Sequence, residues 1–72
     1  MTEAQARELM MNHYEEDEEG NRYYYDIVRC DSGDEDYYIF VCVRRGAPVP
    51  KNENDCPHFW VYEDGSVDAL PM

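Results

Sequence analysis

The side chains in this chain best suited to chemistry are three thiols and an imidazole: Cys30, Cys42, Cys56 and His58. The types suit zinc, but structural zinc sites typically begin with a Cys-x-x-Cys pair. Here a Cys-Pro-His run sets two donors on either side of a rigid residue instead. An activated thiolate needs a base in reach and a third group to orient that base, and nothing near Cys56 and His58 identifies one. His13 falls on an apolar helical stripe, where a boundary residue is the simpler reading than a base. The run Asp31 to Asp36 (DSGDED) lacks the alternating oxygen ligands and closing Glu of a calcium-binding EF-hand loop. The expectation is a non-enzymatic protein with no metal and no cofactor.

Charge carries more information. The 72 residues hold 17 acids against 6 bases, a formal charge of −11. Such a charge opposes compaction and steers the molecule towards positive partners. It disfavours direct contact with nucleic acid or an anionic membrane surface. The acids are grouped: Asp31, Asp34, Glu35 and Asp36 belong with Glu63 and Asp64 at one end of an antiparallel meander. Glu15 to Glu19, with Glu53 and Asp55, belong at the other end. Turns are polar in any small protein, and acids there keep it soluble. The sharper reading is that rigid carboxylates stand in for phosphates and occupy the basic groove of a nucleic-acid-binding protein, where Lys and Arg contacts dominate affinity.

The elements that must hold these groups are legible in outline. Thr2 and Gln5 fit a capping box, and Glu3 suits the positive end of a helix dipole. Ala6, Leu9, Met10, His13 and Tyr14 recur at helical spacing, which predicts a helix over residues 3–14 that frays into the acidic run. Residues 22–30 and 37–45 are rich in β-branched and aromatic types and flank the turn Asp31 to Asp36, with Gly33 available for a positive φ. Gly46 to Pro57 is a long surface loop. Residues 58–62 (HFWVY) form a third strand, Asp64-Gly65 makes a hairpin turn, and residues 66–70 return as a short fourth. The fold class is α+β: one N-terminal helix packed on a 3–4-stranded antiparallel β-meander.

Pairing symmetric about Asp31 to Asp36 sets Cys30 opposite Tyr37, Val28 opposite Ile39 and Ile27 opposite Phe40. One face then carries Tyr24, Val28, Cys30, Tyr37, Ile39, Val41 and Val43, the better bed for the helix. Cys30 and Cys42 are about five residues apart in that register, roughly 17 Å along the strand, too far for a disulfide. The opposite face carries Tyr23, Tyr25, Ile27, Arg29, Tyr38, Phe40, Cys42 and Arg44.

A chain this short buries only about 60% of its extended surface, so one helix leaves one sheet face uncovered. Tyr23, Tyr25, Tyr38 and Phe40, joined by Trp60 and Tyr62, are then expected as a partly exposed patch, and exposed aromatics mark interaction sites. A homodimer made by sheet-to-sheet packing would use the same patch. So would a non-enzymatic interaction module such as an immunity protein or a small regulatory subunit. The 14% aromatic content argues against disorder from Tyr23 onwards. The stretch MTEAQARELMM lacks the basic start and long apolar run expected of a signal peptide, and no apolar run approaches bilayer length. An odd number of cysteines without secretory features points to free thiols in a reducing cytoplasm.

The segments YDIVRCDSGDEDYYIFV and PHFWVYEDGS, with the acidic balance, resemble the C-terminal part of the phage uracil-DNA glycosylase inhibitor family over about two thirds of the chain. That family's edge-strand acidic-Ser-Ile motif has no counterpart here, and no functional residue is carried over. The resemblance implies that such a scaffold can serve as a DNA mimic. Small acidic anti-CRISPR and anti-restriction proteins of phages and mobile elements share the character without sharing sequence.

Overall fold

The computed structural model describes residues 1–69. Its order is helix α1 (Glu3–Asn12), then strands β1 (Tyr14–Glu16), β2 (Arg22–Gly33), β3 (Tyr37–Arg44), β4 (His58–Tyr62) and β5 (Val67–Ala69). A 3-10 turn at Glu53–Asp55 interrupts the connection between β3 and β4. The strands form one antiparallel sheet in the order β1-β2-β3-β4-β5, so it is a five-stranded meander rather than one of three or four. Of the fourth strand expected over residues 66–70, Leu70 lies outside the described residues. None of the described helices is long and apolar enough to cross a membrane.

The capping box forms at the start of α1. Thr2 Oγ1 accepts the Gln5 N–H at 3.2 Å, and Gln5 Oε1 accepts the Thr2 N–H at 2.8 Å. The helix stops at Asn12, two residues before Tyr14, because the chain there has a better partner. His13 is extended (φ −70°, ψ 142°), and Tyr14, Glu15 and Glu16 pair with Tyr24, Tyr23 and Arg22. The acidic run is therefore an edge strand and a defined turn, not a frayed helix end. Asp17 Oδ1 accepts the N–H groups of Glu19 and Asn21, both at 2.9 Å, which holds its carboxyl below the usual range.

The β2–β3 hairpin departs from the symmetric register. Strand β2 continues to Gly33, and the loop is Asp34 to Asp36, with the Asp34 N–H donating to the Tyr37 carbonyl at 2.8 Å. Observed partners are Tyr25 with Arg44, Ile27 with Cys42, Cys30 with Phe40 and Gly33 with Tyr38. The register shifts at Val28 and again at Asp31. A bulge places two residues opposite one and resets which face the following residues occupy. Cys30 consequently joins Phe40 on the helix side, not the aliphatic side. Gly33 serves close approach rather than positive φ, since a Cβ there would fall 2.4 Å from the Tyr38 ring.

The helix lies on the face opposite to the one expected. Ala6 and Met10 bury against Tyr25, Phe40, Cys42, Phe59 and Val61. Phe and Tyr each hide about 150–250 Å², so covering the rings removes more apolar surface from water than covering the valines would. The aliphatic side is sealed by the connection between β3 and β4 instead. Cys56, 1% exposed, packs there with Val41, Val43 and Val28. A loop thus does for Val41 and Val43 what a second helix would do in a longer chain.

Candidate functional site

Alternation along β3 and β4 decides which rings remain available. Tyr38, Phe40, Phe59 and Val61 point to the helix, so Tyr37, Ile39, Trp60 and Tyr62 point away from it. Tyr37 pairs with Tyr62, and Ile39 with Trp60. The Tyr37 ring stacks on Trp60 at 5.4 Å and 15°, and Tyr62 meets Trp60 edge-on at 5.8 Å and 65°. All three rings are half-buried and lie beyond the reach of the Cys56 cluster. The indole Nε1–H is buried without an acceptor among the described residues.

Tyr25 and Phe40, expected on an exposed patch, are 8% and 0% exposed and belong to the core. Their faces were exchanged because the helix took the aromatic side. Tyr38 is half-buried on that same side, parallel to Phe40 at 6.3 Å and set over Gly33. Of the expected aromatic anchors only Trp60 sits on the uncovered face, with Tyr62 beside it. Tyr37 and Asp68 were missed. Their signal lay in the pairing of residue 37 with residue 62 across the hairpin, which alternation within β4 alone does not reveal.

The acids at the turn end gather closely. The Glu63 N–H donates to the Asp36 carbonyl at 3.0 Å, joining the β2–β3 turn to the β4–β5 turn. Asp64 Oδ1 accepts from the Ser66 N–H at 2.9 Å and from the Ser66 hydroxyl at 2.6 Å, which holds its carboxyl below the usual range and fixes its direction. Asp34 Oδ1 accepts the Glu35 N–H at 2.6 Å. Asp68 lies opposite Trp60 on β5. Partial burial, then Asp68, Asp64 and Tyr37, push the Tyr62 hydroxyl upward. Among the described residues Asp34, Glu35, Asp36, Asp64 and Asp68 enter no ion pair, whereas Glu63 lies 4.0 Å from the N-terminal ammonium.

Asp31 does not join them. Arg29 Nη1 holds it at 2.8 Å while Arg29 Nε holds Glu53 at 2.6 Å, so Asp31 and Glu53 share one cation on the sheet. Glu53 was expected at the far end with Glu15 to Glu19. The β3–β4 connection instead folds back over Val28 and Val41 and brings it to Arg29.

The thiols are free, with Cys42 and Cys56 buried and Cys30 half-buried. Burial pushes Cys42 up to about 12. The His58 ring nitrogen Nδ1 lies 2.9 Å from the Cys56 carbonyl oxygen, so it engages backbone. Among the described residues no group of three His, Cys, Asp or Glu side chains is placed to hold a metal ion. An open groove of about 570 Å³ between α1 and the β4–β5 turn is lined by Met1, Gln5, Glu8, Leu9, Asn12 and Glu63, and its lining holds neither a thiol nor an imidazole.

The surface that emerges is a ring cluster, Tyr37, Trp60 and Tyr62, bordered by uncompensated carboxylates on hydrogen-bonded turns. Comparison with protein-family models, curated proteins and solved structures found no match to this chain.

Proposed function

We propose that this protein is a non-enzymatic inhibitor that binds the basic surface of a nucleic-acid-handling protein and blocks it sterically, as a DNA mimic does. The observation that carries the reading is the junction of the two acidic turns through Glu63 and Asp36. It holds Asp34, Glu35, Asp36, Glu63 and Asp64 together in one array, and a groove built for phosphates attracts any rigid array of negative charge. The neighbouring rings supply what charge alone does not. Aromatics desolvated at the centre of an interface slow dissociation, while rim charges govern the rate of encounter. A phage or mobile-element protein acting against CRISPR or restriction systems would suit this chemistry.

The same rings could seat a second copy of the chain, sheet to sheet. That arrangement would bring together two copies that each carry −11, and like charges juxtaposed across an interface oppose association. The basic partner is the better fit.

The test is capture of binding proteins from a host extract on the immobilised full chain. The expected partner is basic, is released by duplex DNA, and binds far more weakly at about 0.5 M than at about 0.1 M salt. A neutral or acidic partner, or retention indifferent to salt and DNA, would reject the reading.

A further inference from the structure

The chain's own arginines show how its rings are used. Arg7 lies over Phe40 at 5.7 Å, Arg22 over Tyr14 at 4.4 Å, Arg44 over Tyr23 at 3.8 Å and Arg45 over Tyr24 at 5.0 Å. The remaining arginine, Arg29, is held between Asp31 and Glu53. A guanidinium over a ring face is attracted by the ring's quadrupole, and indole is the best of the aromatic acceptors. The chain has one tryptophan, Trp60. Among the described residues no basic side chain lies over Trp60, Tyr37 or Tyr62.

Carboxylates also stand beside these rings. Asp68 sits opposite Trp60, and Asp64 and Asp68 both act on the Tyr62 hydroxyl. Ring faces and carboxylates are both in place for a cation, and the chain supplies none.

From this we infer that Trp60 and Tyr62 seat an arginine side chain of the basic partner, with its N–H fork turned towards Asp64 or Asp68. The inference rests on the function proposed above and adds the residue type that the partner must present. Arginine fits better than lysine because its guanidinium is planar, weakly hydrated and able to stack while it hydrogen-bonds a carboxylate. A second copy of the chain fits poorly, since all its arginines are already engaged. A nucleic-acid base fits poorly because the carboxylates repel its phosphates.

A single tryptophan gives a single indole N–H resonance, so the seat reports on itself. The ¹⁵N-labelled full chain is titrated with oligo-arginine and with oligo-lysine of equal length at near-physiological salt. The expected result is a saturable shift of the Trp60 indole resonance with oligo-arginine, and binding about threefold or more tighter than with oligo-lysine. Tyr62→Leu, which keeps apolar volume but removes the ring, should abolish that preference and leave weaker, salt-sensitive binding of both peptides. Tyr37→Leu, which removes the ring stacked on Trp60, repeats the comparison should Tyr62→Leu disturb the amide spectrum.

Equal binding of the two peptides, or an indole resonance that stays put while they bind, overturns the arginine seat and leaves the basic-partner reading standing. Failure of both peptides to bind removes the electrostatic attraction itself, and the proposed function goes with it.

Discussion

Arg45 Nη2 donates to the Met11 carbonyl at 3.1 Å while its Nε reaches Asp26 Oδ1 at 3.2 Å. Helix α1 has no basic residue in its last turn, so the cation that a C-terminal dipole favours comes from beyond the end of β3. The same side chain lies over Tyr24, the partner of Tyr14. One residue thus ties the helix end to β2. Arg45→Met keeps most of the stem but loses these bonds. It should lower unfolding stability by about 1–2 kcal/mol and speed amide exchange at Asn12 and His13 ahead of the sheet. Uniform exchange across the chain would show that Arg45 is not a local clasp.

Phe40 and Trp60 occupy adjacent strands but opposite faces, so truncating them should separate core from site. Phe40 is fully buried against Met10, Phe59 and Val61. Phe40→Ala should cost about 3–5 kcal/mol, a large share of an ordinary protein's stability of about 5–15 kcal/mol. Trp60→Ala should cost about 1–2 kcal/mol and leave circular dichroism native while partner binding collapses. Denaturant titrations of the two variants, with binding measured on whichever is folded, check both halves.

That contrast also shows what the amino-acid order could reveal. Thr2 and Gln5 announced the start of α1 because a capping box is local. Its end was not announced, because it depends on Tyr14 pairing with Tyr24 and on Arg45 arriving from residue 45. Strands 37–45 and 58–62 were legible from alternation, yet both faces of β3 are apolar, and alternation cannot say which one a helix will choose. Bulges at Val28 and Asp31 are invisible in composition, and the first moved Cys30 to the other side. The acidic turns were correctly placed together because a meander brings alternate turns to one end. Tyr37 and Asp68 became visible only once the hairpin pairings were known.

Gly33 carries the second bulge's consequence. The Tyr38 ring rests where a Cβ would be, at 2.4 Å, and it also stacks on Phe40. Gly33→Ala should therefore displace Tyr38 and destabilise by about 1–3 kcal/mol, whereas Gly33 in an ordinary flexible turn would tolerate alanine. Thermal unfolding of the variant and the ring shifts of Tyr38 and Phe40 by NMR distinguish the two cases.

Thiol reactivity should follow burial. Cys42 is pushed from an ordinary 9.0 up to about 12, and Cys30 is raised by partial burial and then by Glu3. At pH 8 a thiol reagent should modify Cys30 slowly and leave Cys42 silent until the protein is denatured. The linkage has a definite sign. Above pH 9 the unfolded chain loses the Cys42 proton while the folded chain keeps it, so stability is complete below pH 9 and falls as pH rises towards about 12. Cys42→Ala should flatten that alkaline decline, measured as denaturation midpoint against pH. A decline unchanged in the variant would assign it to the tyrosines instead.

Uncompensated carboxylates at one end of a small protein repel each other, and a fold selected for stability alone would dilute them. Asp34, Glu35, Asp36 and Asp64 enter no ion pair among the described residues. Asp34 and Asp64 still accept turn hydrogen bonds, and an amide oxygen can accept the same bonds. Asp34→Asn, Glu35→Gln, Asp36→Asn and Asp64→Asn together should therefore keep the turns and remove the repulsion. Stability should stay equal or rise by up to about 1 kcal/mol, while affinity for the basic partner falls at least about tenfold and loses most of its salt dependence. The two readouts must move in opposite directions. A variant that unfolds would make these acids structural, and one that binds unchanged would place the partner elsewhere on the chain.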